Sequence, residues 1–372
     1  MASGLAAADG PLATQTETAR SGVVQAFARF SPTEHWRARL TAGASTERSN
    51  NQSSEAFSFN NGRFEANNTL LVLDNQIDLA AGTTAIVGAE YLRQTASSTA
   101  YDASFGGTQV DYSRRALSAW AGLNFTHGAH AVQANLRQDD YSDVGGATTG
   151  LIAYGYDFAE HWRASVQLSN AFRAPSFNDL YFPFFGNPEL QPEKSRSAEA
   201  RLRYADGPWT AELAAYATRV RNLIAFEASV QRAENIDSAR INGVEASASW
   251  RGERWAVAGN LTGLSTENDA TGQRLVRRAP LTANLSGDYT PAAWAVGADV
   301  SYVAARDDFD INGFARTSLD PYTLVRLRGS WQVRPALQLT ARLENLFDAQ
   351  YRTVDGYNTP RRGVFAGVQV KL

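Results

Sequence analysis

The side chains best suited to acid–base work or metal ligation are the four histidines, His35, His127, His130 and His161. All four fall in or beside short polar turns, and only His127 and His130 come within one helical turn of each other in sequence. No acid or thiol stands at a ligand-like offset from that pair, so they read as solvated interface residues and not as a metal or nucleophile site. Asp139, Asp140 and Asp143 form the tightest acidic group. They fall at a long connection near 140–146, where a solvated loop is expected in preference to a calcium or lipid-linked cation site. With Cys 0, thiolate ligands and disulfides are excluded. Lys+Arg 35 against Asp+Glu 38 gives a net charge of −3 with no basic block, which offers nucleic acid no footprint. We therefore expect no enzyme, no cofactor and no nucleic-acid partner.

The elements that carry these residues have a period of two. Val364, Ala366, Val368, Val370 and Leu372 alternate with Phe365, Gly367, Gln369 and Lys371. Leu337, Leu339, Ala341 and Leu343 alternate with Gln338, Thr340, Arg342 and Glu344. One face is oily and the other charged, which is the signature of a strand. Hydrophobic residues make up 44% of the chain, yet no run is long and apolar enough for a membrane helix. A transmembrane strand needs only about 9–11 residues with every second one apolar, so negative mean hydropathy is compatible with a membrane barrel.

Such alternation marks about seventeen strands. Their connections alternate in length. Short turns are predicted at 31–35, 80–83, 127–129, 159–160, 205–208, 251–254, 290–293 and 334–336. Longer connections are predicted near 47–61, 96–109, 140–146, 171–194, 224–239, 265–278, 306–320 and 348–360. Tight turns on one rim and long loops on the other are the asymmetry of outer-membrane barrels. Aromatic residues flank the short turns in pairs: Phe30 and Trp36, Phe158 and Trp162, Tyr204 and Trp209, Trp250 and Trp255, Tyr289 and Trp294. Such pairs fit a girdle at the periplasmic interface. Bacterial barrels have even strand counts, and about five further strands would bring the total to the plugged class of about 22. Met1 to Arg20 carry no basic n-region and no apolar core, so they do not read as a signal peptide. Residues 1–20 are expected to be disordered or a partial loop, and 21–372 a barrel lacking its first strands.

Asn170, Ala171, Phe172, Arg173, Ala174, Pro175, Ser176, Phe177, Asn178, Asp179, Leu180 and Tyr181 form one continuous block, followed by Gly186, Asn187, Pro188, Glu189, Leu190, Gln191, Pro192 and Glu193. This stretch closely resembles the mid-barrel signature of TonB-dependent outer-membrane receptors. A second block runs through Arg240, Ile241, Asn242, Gly243, Val244 and Glu245, and a third through Asn345, Leu346, Phe347, Asp348, Tyr351, Gly356, Tyr357 and Arg362. Their order and spacing also resemble that family, with cobalamin receptors the nearest branch and siderophore receptors sharing most of the pattern. Read physically, Arg173, Ala174 and Pro175 end a strand, because Pro175 cannot donate to a ladder. Gly186, Asn187 and Pro188 turn the chain, and Pro192 and Glu193 re-enter a strand. For this segment an ordered loop without ligand contact is the favoured reading. Gly243 is expected to let a strand start beneath a loop, with Glu245 facing a polar lumen and having no catalytic role.

The resemblance implies a transmembrane antiparallel barrel that takes up a scarce chelate, cobalamin or a ferric siderophore. It further implies a lipid environment, the Gram-negative outer membrane and a TonB-type energising protein acting through an N-terminal plug, a part not found here. Loop-tip aromatics are the implied ligand contacts: Phe182, Phe184, Phe185, Phe226, Phe309, Tyr351 and Tyr357. For each of them, loop packing is the competing reading. A passive porin lined by Arg326, Arg328, Arg342 and Glu344, a non-functional remnant and a soluble all-β module are the alternatives.

Overall fold

The computed structural model describes residues 2–5, 13–53, 62–102, 106–182, 186–227, 230, 232–310 and 315–371. Strands β1 (Ala2–Leu5), β2 (Ala13–Thr33), β3 (Trp36–Ser53), β4 (Gly62–Ala80), β5 (Thr83–Asp102), β6 (Gly106–His127), β7 (His130–Tyr141), β8 (Gly145–Ala159) and β9 (Trp162–Arg173) precede a short helix, α1 (Phe177–Tyr181). After it come β10 (Glu193–Asp206), β11 (Trp209–Glu227), β12 (Arg232–Arg251), β13 (Trp255–Asn268), β14 (Leu281–Tyr289), β15 (Trp294–Val303), β16 (Arg306–Phe309), β17 (Arg316–Leu319), β18 (Tyr322–Arg334), β19 (Leu337–Glu344) and β20 (Gly363–Val370). Eighteen strands belong to one sheet, and β16 with β17 forms a separate two-stranded ribbon. Between β6 and β7 Gly128 takes φ 56°, a left-handed geometry that favours glycine, and between β8 and β9 His161 takes φ 67° in the same region.

The chain divides into two compact units. The first comprises Met1–Tyr156, Val166–Ala198 and Thr218–Ala239. Within it β2 to β8 pair consecutively and antiparallel. Register places Leu73, Ala89 and Ala119 in one cross-strand row and Leu71, Tyr91 and Leu117 in the next. Leu123 and Ala134 continue the same face toward Ile152. This face is open: Leu117 and Leu136 are each 60% exposed. A broad exposed apolar surface on a pleated sheet is what a lipid-facing strand layer presents. The opposite face is polar, and there Arg137 reaches Glu90 at 3.0 Å and Asp139 at 2.8 Å while Ser118 donates to Asp139 at 2.6 Å.

The second unit comprises Asp157–Ser165, Glu199–Ala217 and Arg240–Leu372. Here β13, β14, β15, β18, β19 and β20 pair in turn. Val257, Leu261, Leu285, Val296, Leu327, Leu339 and Val368 are exposed on one face. At its short-turn end the rings of Trp255 and Tyr289 lie 4.4 Å apart and those of Tyr289 and Trp294 5.6 Å, with Trp331 the direct cross-strand partner of Trp294. Phe158, Trp162 and Tyr204 make a second ring group, with centroids 6.3 and 4.9 Å apart, and Trp209 meets Trp250 at 6.1 Å. On the polar face Arg328 binds Asp288 at 2.7 Å and also Asp299. Arg326 and Arg342 share Glu344 at 3.7 and 3.3 Å.

Several expectations change. Among the described residues the main sheet has eighteen strands, in keeping with the roughly seventeen that the alternation marks, and the β16–β17 ribbon lies within a stretch read as one long connection. Within the stretch read as a loose start, Ala2–Leu5 pairs with β2, which begins at Ala13. Strands β2 to β6 run well beyond a membrane's thickness. Their far ends, such as 46–53, are polar on both faces, so no apolar period announces them. Gly243 does not open a strand: it lies within β12, where a Cβ would overlap the ring of Tyr216. Asp139 is buried in a strand rather than solvated in a loop, because Arg137 and Ser118 hold it.

Candidate functional site

Long connections gather at the end of each unit opposite the short turns. In the first unit, β9 ends at Arg173, and Pro175 is fully buried with its carbonyl accepting from Arg114 at 2.9 Å. Ser176 then caps α1: its hydroxyl accepts from the Asp179 N–H at 3.1 Å, and the Asp179 carboxylate accepts from the Ser176 N–H at 2.9 Å. This reciprocal capping box lets so short a helix hold its shape. Tyr181 stacks on Tyr112 with centroids 3.7 Å apart, and Leu180 is buried. The Arg114 guanidinium lies over Phe177 and binds Asp143 at 2.7 Å.

After α1, the Gly186 N–H donates to the Phe182 carbonyl at 2.7 Å. Asn187 is buried and ties the loop to β12: its amide donates to the Ala233 carbonyl at 3.0 Å and to Glu234 at 3.2 Å, and its oxygen accepts from the Glu189 N–H at 3.0 Å. Pro188 is exposed, whereas Leu190 and Pro192 are buried beneath the turn. Glu193 closes the segment, accepting from Arg173 at 2.8 Å and from the Ile224 N–H at 2.9 Å. Ala174 is half-buried beside Pro175.

In the second unit the β16–β17 ribbon carries a fully buried carboxylate, Asp308. It accepts from Arg277 at 2.7 Å and from the backbone N–H groups of Asp355 at 2.8 Å and Phe309 at 2.9 Å. Burial pushes its pKa up, but these three donors outweigh burial and hold it below the usual carboxylate range. Arg306 donates to the Arg352 carbonyl at 2.6 Å, and Tyr351 packs on Tyr322 at 4.6 Å. In the C-terminal connection Asn345 is left-handed at φ 51° and brackets Ala349, donating to its carbonyl at 2.9 Å and accepting from its N–H at 2.8 Å. The Leu346 N–H donates to the Val325 carbonyl, and Phe347 is 71% exposed. Asp348 accepts from Arg361 at 2.7 Å and from the Arg362 N–H at 2.9 Å, which lower its pKa to about 2.

These connections surround a cleft of about 750 Å³ whose walls include Ser318, Asp320, Tyr351, Arg352, Asn358 and Arg361. Hydroxyls, an amide, an aromatic ring and two guanidinium groups converge there. Arg352 is paired with Asp355 at 3.2 Å and Arg361 with Asp348. A cleft of this size with convergent polar groups is a candidate ligand site.

Of the nominated contacts, Tyr351 lines this cleft and the exposed Tyr357 lies on the same connection. Phe309 is half-buried in β16, and Phe182 caps α1 in the first unit. Phe184 and Phe185 lie outside the described residues, as does the side chain of Phe226. Glu245 is exposed in β12. His130 Nδ1 is hydrogen-bonded to the Tyr154 hydroxyl at 2.7 Å and its ring stacks on Tyr156, His127 stacks on Phe125, and His161 faces Asp206. No cluster of His, Cys, Asp or Glu able to hold a metal occurs among the described residues. Sequence reading missed Asp308, Arg306 and Arg114; the adjacent Arg306, Asp307 and Asp308 in a long connection were the available signal.

The family described as TonB dependent receptor-like, beta-barrel matches residues 4–346. Among curated relatives, the vitamin B12 transporter BtuB of Vibrio cholerae is 31% identical over 64% of this chain and 39% of its own length, and that of Photobacterium profundum is 28% identical over 64% and 40%. The chain thus spans about two fifths of the curated relatives it matches. The ferric yersiniabactin uptake receptor FyuA of Yersinia pestis superposes with TM-score 0.76 at 18% identity, covering 96% of this chain and 60% of that one. The ferric enterobactin receptor PfeA of Pseudomonas aeruginosa gives 0.74 at 17%, covering 99% and 72%. An all-antiparallel sheet with an exposed apolar face, and a match across nearly its whole length, establish that this chain belongs to the TonB-dependent receptor family of transmembrane β-barrels.

Proposed function

We propose that the protein is an outer-membrane receptor for active uptake of a scarce nutrient chelate, energised by the TonB system. Cobalamin is the first candidate ligand and a ferric siderophore the second. The observation that carries this reading is the pairing of a lipid-type exposed face with the ordered, polar cleft around Tyr351. The relatives named as vitamin B12 transporters favour cobalamin. In this reading the long connections capture the ligand, the strands span the Gram-negative outer membrane, and the energising partner acts through a further part of the protein.

The test is uptake of labelled cobalamin, and in parallel of ferric chelates, by a strain lacking its own transporters and expressing the full-length gene. Uptake that disappears when the energising system is deleted supports the proposal. Uptake that persists without it, and scales linearly with concentration, would replace the receptor with a diffusion channel. Failure to accumulate any of these ligands would remove the substrate class.

A further inference from the structure

On the exposed apolar face of the first unit, the cross-strand row of Leu71, Tyr91 and Leu117 is followed, toward the long connections, by the row of Thr69, Arg93 and Arg115. Arg93 and Arg115 are direct partners on adjacent strands, and both are exposed. Like charges directly opposite one another repel, so a sheet gains nothing by placing them so. Neither guanidinium has an ion pair or hydrogen bond among the described residues; the contacts of Arg115 are made by its backbone, with Ser142.

The same face shows what neutralisation looks like. Arg48 and Arg63 both bind Glu65, at 3.0 and 2.9 Å. Near Arg93 and Arg115 the acids of this face are Asp111, which accepts from Gln109, and Asp140, opposite Leu117; neither forms an ion pair with the two arginines. The position is as informative as the charge. The apolar run 117–125 has the length of about nine residues that crosses a bilayer's hydrocarbon, so the next outward-facing row stands at headgroup depth on the long-loop side. Two guanidinium forks a strand apart match a phosphate, which would convert repulsion into charge-assisted hydrogen bonds.

We propose that Arg93 and Arg115 form a binding site for the phosphate of an outer-leaflet lipid headgroup. The site rests on the membrane reading above but is separate from the ligand cleft. The test uses full-length protein purified from outer membranes and reconstituted in liposomes. Native mass spectrometry then follows retention of bisphosphorylated lipid A, dephosphorylated lipid A and phosphatidylglycerol, with inorganic phosphate as competitor. The expected result is selective retention of the bisphosphorylated lipid, reduced about tenfold in Arg93→Gln/Arg115→Gln and unchanged in Arg163→Gln. Equal retention by the double variant, or of the dephosphorylated lipid, overturns the site, and full displacement by inorganic phosphate reassigns it to free anions. If the double variant does not assemble, the single variants decide, each expected to lose about threefold. Protein that does not enter liposomes sinks the membrane reading, whereas protein that enters but shows no lipid preference sinks only this site.

Discussion

The connection around α1 in the first unit and the connections around Asp308 in the second are both irregular and both held, but by different forces. The first is closed mainly by packing: a stacked Tyr112 and Tyr181, a capping box, and Pro175, Leu180 and Leu190 buried beneath, with ion pairs of Arg114 to Asp143 and Arg173 to Glu193 at its edges. The second is held by charge: Asp308 on three donors, Asp348 on Arg361, Arg352 on Asp355. Apolar closure leaves little open wall, whereas a charge-held frame can surround a polar cleft and still exchange partners. The difference teaches that the loop block that carries the mid-barrel family signature and the wall of the polar cleft are not the same segment.

The largest effect should come from the buried carboxylate. Asp308→Ala leaves two backbone N–H groups and Arg277 without their acceptor, a local loss of about 3 kcal/mol. Proteolysis at 304–321 should accelerate strongly, while the 171–192 segment stays protected. If both segments loosen together, the two clusters are not independent.

Asn187 tests the first cluster in the same way. Asn187→Ala removes its bonds to Ala233, Glu234 and Glu189, about 2 kcal/mol for a buried amide. Asn187→Asp should be worse, because it sets a carboxylate against Glu234 and a carbonyl. Amide exchange at Glu189 reads both, and a milder Asp variant would mean that Glu234 is not the partner that matters.

Tyr351→Ala should weaken capture of the proposed chelate about tenfold while leaving the melting behaviour of the strands intact, since the ring lines the cleft and stacks on Tyr322. Phe182→Ala, in the shape-closed cluster, should leave affinity unchanged. The reverse order of effects would move the ligand wall to the first unit.

How much of this was legible in the sequence depends on whether the signal was local. The turn at Gly128 and the alternation of 337–344 are visible because each needs only neighbouring residues. The aromatic pairs at short turns are visible for the same reason; the rings of Phe158 and Trp162 and of Tyr289 and Trp294 meet, while Tyr204 meets Trp162 and Trp250 meets Trp209 across strands. Ser176 with Asp179 three residues later was a readable helix start that the loop reading passed over. Asp308 was not readable: its donors come from Arg277 and Asp355, dozens of residues away on either side. Nor was the repulsive pair of Arg93 and Arg115, which exists only once register is fixed.

The smallest effect, and the one that separates the clusters by chemistry alone, is acid. The folded-state pKa of Asp348, about 2, lies below its ordinary value of 3.8, because Arg361 and the Arg362 N–H favour the charged form. A depressed carboxylate contributes its stability fully above the ordinary value and loses it as pH falls through the folded value. Between about pH 4 and about pH 2 the C-terminal connection should therefore loosen, with Asp308 adding to the trend in the same direction. Pepsin, active across this range, reads the change as cleavage beside Phe347 that rises on acidification. In Asp348→Asn the rise should be smaller, because the carboxylate beside this bond no longer titrates and only the contribution of Asp308 is left. The segment around α1 also holds carboxylates, Asp179 in the capping box and Glu193 on Arg173, but the Tyr112–Tyr181 stack and the buried Pro175, Leu180 and Leu190 do not titrate, so it should loosen less over the same range. Equal acid sensitivity in wild type and Asp348→Asn would show that charge does not hold the C-terminal connection, and the contrast between the two clusters would fail there first.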